Sequence, residues 1–349
     1  MFFVIKFSKK SLTLIYIDQK NFKILFYIII KIKSMSIISY FGSKSSNSFI
    51  KELINPNIPK TGIKTYLEPF SGSMATYMDD DSLNFETVIY NDKNRHQVNL
   101  IYCCSTPDKF IPILEKFKSS VLNTTETHPI KKWEFYKSIY HKYTKNSFLD
   151  DMDFEIGDLK KAAMYAFLIT SAHNSIFPRG AGYNGYKKDK DRLKLDVLID
   201  KLNKNKYTSK LKSITEFCNI DFEQLITKHD ADDTYMYLDP PYYRYDKKTG
   251  DDDAKRLFWY GSDSENVFGP ASHRRLLELL KKTKSRWSLS YYYFPLLEEL
   301  LPRDQYVWTE KEVFRSSAQG GNNSDLKKEQ AKGVELLIMN YDPKTGKKL

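Results

Sequence analysis

The stretch Thr65-Tyr66-Leu67-Glu68-Pro69-Phe70-Ser71-Gly72-Ser73-Met74-Ala75 decides how this 349-residue chain is read. A short apolar strand stops at an acidic residue and enters a turn of small residues before a segment that reads as a helix. Gly72, between Ser71 and Ser73, lets the backbone come close to a ligand that a bulky residue would hold off. Strand, glycine turn and helix in this order form the local pattern of a nucleotide-cofactor loop.

Two further apolar runs end in residues that carry chemistry. Thr87-Val88-Ile89-Tyr90 stops at Asn91-Asp92, and an acid about 20 residues beyond a glycine loop is where a ribose hydroxyl pair is held. Asp92 is therefore assigned to a ribose, with the N-cap of the following helix as its other reading. Tyr235-Met236-Tyr237-Leu238 stops at Asp239-Pro240-Pro241-Tyr242. An exocyclic amine such as N6 of adenine is a poor nucleophile, because its lone pair is delocalised into the ring, so alkylating it calls for acceptors on its N–H bonds. Asp239 offers a carboxylate, and Pro240 offers a carbonyl on a rigid backbone that Pro241 keeps out of helical geometry. Tyr242 adds an aromatic face on which an extruded base can stack. An ordinary turn after a strand is the bland reading. A given tetrapeptide arises by chance in a chain this long only roughly once in a thousand, however, and here it accompanies two cofactor-type strand ends.

In this order the motifs resemble those of the Dam-type (D12 class) DNA adenine-N6 methyltransferases, including their phage and viral relatives. The resemblance covers most of the chain after Met35. Ser39-Tyr40-Phe41-Gly42-Ser43-Lys44 is similar to the family's opening motif, which implies that Tyr40 and Lys44 contact the methionine part of S-adenosylmethionine. Glu68, Pro69, Phe70, Ser71, Gly72 and Ser73 resemble the cofactor loop, and Asp92 the ribose acid. Ile220-Asp221-Phe222 resembles the segment beside the cofactor adenine, and Asp239-Pro240-Pro241-Tyr242 is the catalytic motif with no substitution. A helix over 273–280, the strand Trp287-Ser288-Leu289-Ser290 and a final strand over 334–340 match the closing elements. Tyr40 stands where the best-known members carry tryptophan, Ser43 where they carry glycine, and Ser73-Met74 where many have further glycine. These departures bear on cofactor affinity more than on cofactor identity.

Composition agrees with such a protein. At 41% hydrophobic and 15% aromatic residues the chain can bury a core and carry a second lobe. A net charge of +11 favours a polyanionic partner, because lysines that neutralise phosphates release counterions. A solvated lysine face is the competing explanation, and the abundance of Lys, Asn, Ile and Tyr also looks like the product of an AT-rich genome. Cys103, Cys104 and Cys218 have no metal spacing and fit a reducing compartment. No zinc pattern, Walker lysine loop or repeat occurs. Residues 24–30 are apolar, but a membrane span needs about 20 such residues. Residues 1–34 are read as an extension that precedes the functional start at Met35, with a packing or anchoring strand as the competing reading.

Between the two cofactor-side halves, apolar spacing predicts helices over 110–122, 133–143 and 159–171, and residues 177–186 read as a glycine-broken, hairpin-like loop. Arg179, Asn184, Lys187 and Lys188 lie in this turn-rich, basic part. Arg and Asn can read guanine and adenine edges bidentately, while lysines suit phosphate. Residues 244–268 are read as a loop that closes over a flipped base, and 315–323 as a hairpin over the substrate groove.

The expected architecture is α/β. A Rossmann-like, S-adenosylmethionine-dependent methyltransferase sheet is built from 35–92 and 211–349, and a mainly helical target-recognition lobe over 93–210 interrupts it. Alternating strands and helices support a doubly wound sheet; the methyltransferase topology itself is what the resemblance implies. The same resemblance implies a site-specific DNA adenine-N6 methyltransferase acting on double-stranded DNA without a metal, with a cognate restriction endonuclease as a further partner. The cysteines, and residues 31–35 that do not resemble a signal-peptide cleavage site, point to a protein inside the cell and not secreted. RNA adenine, cytosine N4, or DNA binding without turnover are the alternatives. Within the resembling families, Asp at the first motif position favours adenine over cytosine.

Overall fold

A computed structural model describes residues 3–8, 11–16, 37–38, 50–59, 61–145, 151–173, 182–243, 268–314 and 332–349. Met1–Ser34 and Met35–Leu349 are two compact units. In the first, β1 (Phe3–Ser8) and β2 (Ser11–Tyr16) pair antiparallel, from Phe3 opposite Tyr16 to Ser8 opposite Ser11. Both strands are rich in aromatic and β-branched residues, which suit a pleated surface. The sequence reading of this region rested on residues 24–30, which lie outside the described residues, and it did not anticipate the hairpin.

The second unit is organised by β3 (Thr65–Glu68), β4 (Thr87–Asn91), β7 (Glu216–Cys218), β8 (Thr234–Leu238), β9 (Arg286–Tyr292), β10 (Val307–Phe314) and β11 (Lys332–Met339). A two-stranded ribbon, β5 (Tyr186–Lys187) with β6 (Arg192–Leu193), stands apart. The large sheet has the order β10-β11-β9-β8-β3-β4-β7. Neighbours from β9 through β7 are parallel, and β11 runs antiparallel to both β9 and β10. The fold is therefore mixed α/β with a seven-stranded, mostly parallel sheet, as expected of a methyltransferase. From β3 the chain builds outward through β4 to β7, then returns to lay β8 on the other side of β3. The strand order reverses between β3 and β8.

The central strands are buried on both faces, so their side chains divide by the two-residue period of a strand. Tyr66, Val88, Tyr90, Tyr235 and Tyr237 join one core cluster, while Leu67, Ile89, Met236, Leu238, Trp287 and Leu289 join the other. The tyrosine face must find partners for its hydroxyls. Tyr235 meets Ser288 Oγ at 2.5 Å and Tyr237 meets Ser290 Oγ at 2.9 Å, which explains why β9 alternates serine with Trp287 and Leu289.

Helices cover each face. The core cluster on the tyrosine side takes in the one-turn α1 (Ala75–Met78) and residues of α2 (Arg95–Ser105), α3 (Pro107–Val121), α4 (Pro129–Lys145), α5 (Leu159–Ser171), α6 (Lys194–Leu202) and α7 (Asn205–Lys212), which pack on one another. On the aliphatic side lie α8 (Phe222–His229), α9 (Pro270–Leu280) and α10 (Pro295–Leu300). The three helices expected over 110–122, 133–143 and 159–171 correspond to α3, α4 and α5. Local chemistry sets several starts: Asn94 caps α2, Asp158 caps α5 and Asp221 caps α8, each accepting a backbone N–H of the first turn. Among the described residues no helix is long and apolar enough to cross a membrane.

Candidate active site

Glu68 ends β3 and Asp239 directly follows β8, so the two carboxylates emerge from adjacent parallel strands where the sheet order reverses. The crevice outside the carboxyl ends of strands at such a reversal is where open α/β sheets bind ligands. Glu68 is buried and accepts the Tyr66 hydroxyl at 2.5 Å. Burial pushes its carboxyl up to about 8 against the pull of that hydrogen bond, and the charge of Asp239 adds to the rise. Glu68 is consequently mostly neutral at pH 7.

The loop after Glu68 is pinned from several sides. Gly72 and Met74 both adopt left-handed backbone (φ 50° and 51°), which glycine takes without strain and which folds the chain tightly back. Gly72 N–H donates to Asp92 Oδ2 at 2.8 Å, and the Gly72 carbonyl accepts from Gln97 Nε2 (2.8 Å) and the Tyr90 hydroxyl (2.7 Å). Ser71 Oγ donates to the Glu68 carbonyl and accepts from Asn91 N–H. The buried Asn91 amide donates to the Pro69 and Ile220 carbonyls at 2.8 and 3.2 Å, while its oxygen accepts Ile220 N–H at 3.0 Å. One side chain thus ties the loop after β3 to the segment after β7.

Asp92 carries two backbone bonds, from Gly72 and from Asn94, at 2.8 Å each. It does not cap α2, a role that belongs to Asn94. Burial lifts its pKa to about 6 despite those two donors. Each carboxylate oxygen keeps further acceptor capacity, so the group suits a hydroxyl pair.

Next to the loop, Phe70 and Phe222 lie 5.6 Å apart, with Phe268 at 5.4 and 5.7 Å from them. The Arg275 guanidinium sits 4.6 Å over the Phe222 ring and bonds Asp221 Oδ2 at 3.0 Å. Asp221 is thus both helix cap and ion-pair partner. A glycine turn, a paired acid and an aromatic cluster are the donor set that a nucleoside cofactor such as S-adenosylmethionine fits.

On the other side of the switch point, Asp239 is partly buried and Pro240 buried. The Tyr242 ring stacks on Tyr291 (5.3 Å, 26°) and meets Tyr292 edge-on at 4.8 Å. Its hydroxyl donates to Glu335 Oε1 at 2.6 Å. Tyr291 hydrogen-bonds His273 Nδ1 and reaches the Pro241 carbonyl at 3.5 Å, the long limit of such a contact. Burial holds His273 down at about 3, so its imidazole is neutral.

Tyr40, Lys44 and Arg179 lie outside the described residues, as do 244–267 and 315–323. Asn184, Lys187 and Lys188 are exposed in and before the β5–β6 ribbon, away from both strand ends in sequence. The Lys188 and Lys137 ammonium groups both lie over the Trp133 ring, at 4.7 and 4.8 Å. Sequence reading missed Asn91 as a hub and missed Gln97, Tyr291 and Glu335 altogether. Only Asn91, next to Asp92 at a strand end, left a local signal.

The reversal of strand order, the glycine turn on one side of it and the Asp-Pro-Pro-Tyr strand end on the other define the class of amino-group methyltransferases. The profile of the D12 class N6 adenine-specific DNA methyltransferase family matches residues 40–316, and the chain belongs to that family. It is accordingly an enzyme that methylates adenine in DNA, with S-adenosylmethionine as the family's cosubstrate. A search of curated proteins found no match.

Proposed function

We propose that the crevice between the ends of β3 and β8 is where this enzyme methylates a flipped adenine. The carrying observation is that Glu68 and Asp239 leave adjacent parallel strands at the point of reversal, with the Gly72–Asp92 turn on one side and Tyr242 on the other. When bound, S-adenosylmethionine supplies an electrophilic methyl group on a sulfonium. Gly72 allows its close approach, Asp92 accepts from the ribose hydroxyls, and Phe70, Phe222 and Asp221 border its adenine; Glu68, Pro69, Ser71 and Ser73 shape the loop. Tyr40 and Lys44 are assigned to its methionine part on the resemblance of their motif alone.

Asp239 and the Pro240 carbonyl accept the two amino hydrogens of the target base, which raises electron density on N6, and Tyr242 stacks the ring. The proton that N6 sheds after methylation passes to Asp239. Positioning and electrostatics carry the rate. Arg179, Asn184, Lys187 and Lys188 are assigned to DNA, with helices between 93 and 210 forming the recognition lobe. A place among phage and viral members, action inside a cell or viral replication compartment, a paired restriction endonuclease and a dispensable 1–34 extension complete the proposal.

The test is Asp239→Ala. Methyl incorporation into unmethylated DNA should fall below detection while S-adenosylmethionine still binds by calorimetry. A variant that keeps full activity removes the centre from this crevice.

A further inference from the structure

Glu335 is a buried acid on β11, opposite Lys311 of β10. It is 4% exposed on β11 and is followed by the apolar run Leu336-Leu337-Ile338-Met339. Acids are almost never fully buried without partners, and a well-packed apolar side chain at such a position is often the more stable choice. Because β11 runs antiparallel, its beginning lies at the sheet edge where the parallel strands end. Glu335 pairs with Tyr292 at the end of β9, next to the strand that delivers Asp239. The Tyr242 hydroxyl donates to it at 2.6 Å. Burial first, and then the charges of Asp239 and Glu335, push the Tyr242 hydroxyl well above its ordinary pKa. It therefore stays protonated and remains a donor.

We infer that Glu335 is a positioning residue for methyl transfer: its carboxylate fixes the Tyr242 ring, stacked on Tyr291 and edge-on to Tyr292, in the position from which it meets the target adenine. The inference rests on the assignment of Asp239 and Tyr242 to the reacting centre. A tyrosine ring has two soft torsions, and ring contacts with Tyr291 and Tyr292 hold it by shape rather than by a directional bond. The hydroxyl bond to a strand-borne carboxylate supplies one. Glu335 also lies opposite Lys311 of β10, and the effect on methyl transfer assigned to it here runs through Tyr242.

The experiment is a double-mutant cycle on the full-length enzyme, with kcat and the KM for S-adenosylmethionine measured by labelled methyl incorporation into unmethylated DNA. Glu335→Ala and Tyr242→Phe should each lower kcat about tenfold, with KM changed less than about twofold, and the double variant should be no slower than the slower single one. Glu335→Gln keeps an acceptor oxygen and should retain at least about half of kcat. Losses that multiply in the double variant, or a Glu335→Gln as slow as Glu335→Ala, would overturn the inference. Should Glu335→Ala fail to fold, the remaining pair decides: an active Glu335→Gln beside a slow Tyr242→Phe supports it, and a fully active Tyr242→Phe sinks it. With Asp239→Ala inactive, these failures count against Glu335 alone; an active Asp239→Ala counts against the centre itself.

Discussion

Around Gly72 and Asp92 side chains pin the chain by its main-chain groups, whereas around Asp239 and Tyr242 side chains from other strands hold a side chain. The half proposed for the cofactor uses the Gly72 N–H and carbonyl, Ser71 and the Asn91 amide on main-chain groups. The half proposed for catalysis uses ring stacking and a hydroxyl–carboxylate bond, from Tyr291, Tyr292 and Glu335. Bonds from buried side chains to main-chain groups make a rigid turn, and removing one such side chain leaves the backbone groups it served unpaired. Side-chain clamping suits a group that must meet a base arriving from solvent. Substitutions should accordingly split into those that melt the loop and those that slow turnover.

The largest effect is expected on the half pinned by its main-chain groups. Asn91→Ala would leave the Pro69 and Ile220 carbonyls and the Ile220 N–H without their partner, and each buried unsatisfied group costs about 1–3 kcal/mol. Allowing for water and relaxation, a loss of about 3 kcal/mol is expected, read as a fall of roughly 4 °C in thermal midpoint for a chain of this size, together with weaker cofactor binding. A midpoint that stays within about 2 °C of the parent would show that the hub is dispensable and that the halves do not differ in this way.

On the clamped half the expected loss is in rate. Tyr242→Ala removes the stacking face, and base stacking on an aromatic ring is worth about 1–3 kcal/mol, so turnover should drop about ten- to a hundredfold at saturating cofactor while cofactor affinity holds. If affinity for S-adenosylmethionine falls in step with turnover, Tyr242 belongs to the cofactor half instead.

The smallest effect sharpens the comparison through pH. Asp92 must be ionised to accept from a hydroxyl pair while holding Gly72 and Asn94, and burial has lifted its pKa to about 6. Lowering the pH through that value protonates the group and takes an acceptor away. Cofactor affinity should then fall about tenfold between pH 7 and pH 5. Asp92→Asn should bind weakly at both pH values with a flat profile. A parent affinity independent of pH over this interval would leave Asp92 as a structural acid that merely braces the turn.

How much of this was legible beforehand follows the range of the interactions. Strand β3, its glycine turn and the strands ending at Asp92 and Asp239 could be read along the chain, because alternation, turn chemistry and strand-end residues are local. Helices α3, α4 and α5 were legible for the same reason. The N-terminal hairpin was not, because its two six-residue strands give a weaker pattern than the apolar run over 24–30 that follows them.

Chemical identity, then, was already in the order of the motifs: a small-residue turn after an acid, a second acid at a strand end, and Asp-Pro-Pro-Tyr. What folding alone decided was the company those residues keep. Asn91 meets Ile220 across 129 residues, and Tyr242 meets Glu335 across 93. No local pattern encodes either pairing. Contacts of that span depend on which strands become neighbours and in which direction they run, and the antiparallel β11 brings a buried acid to the edge where the parallel strands end only once the whole sheet has formed.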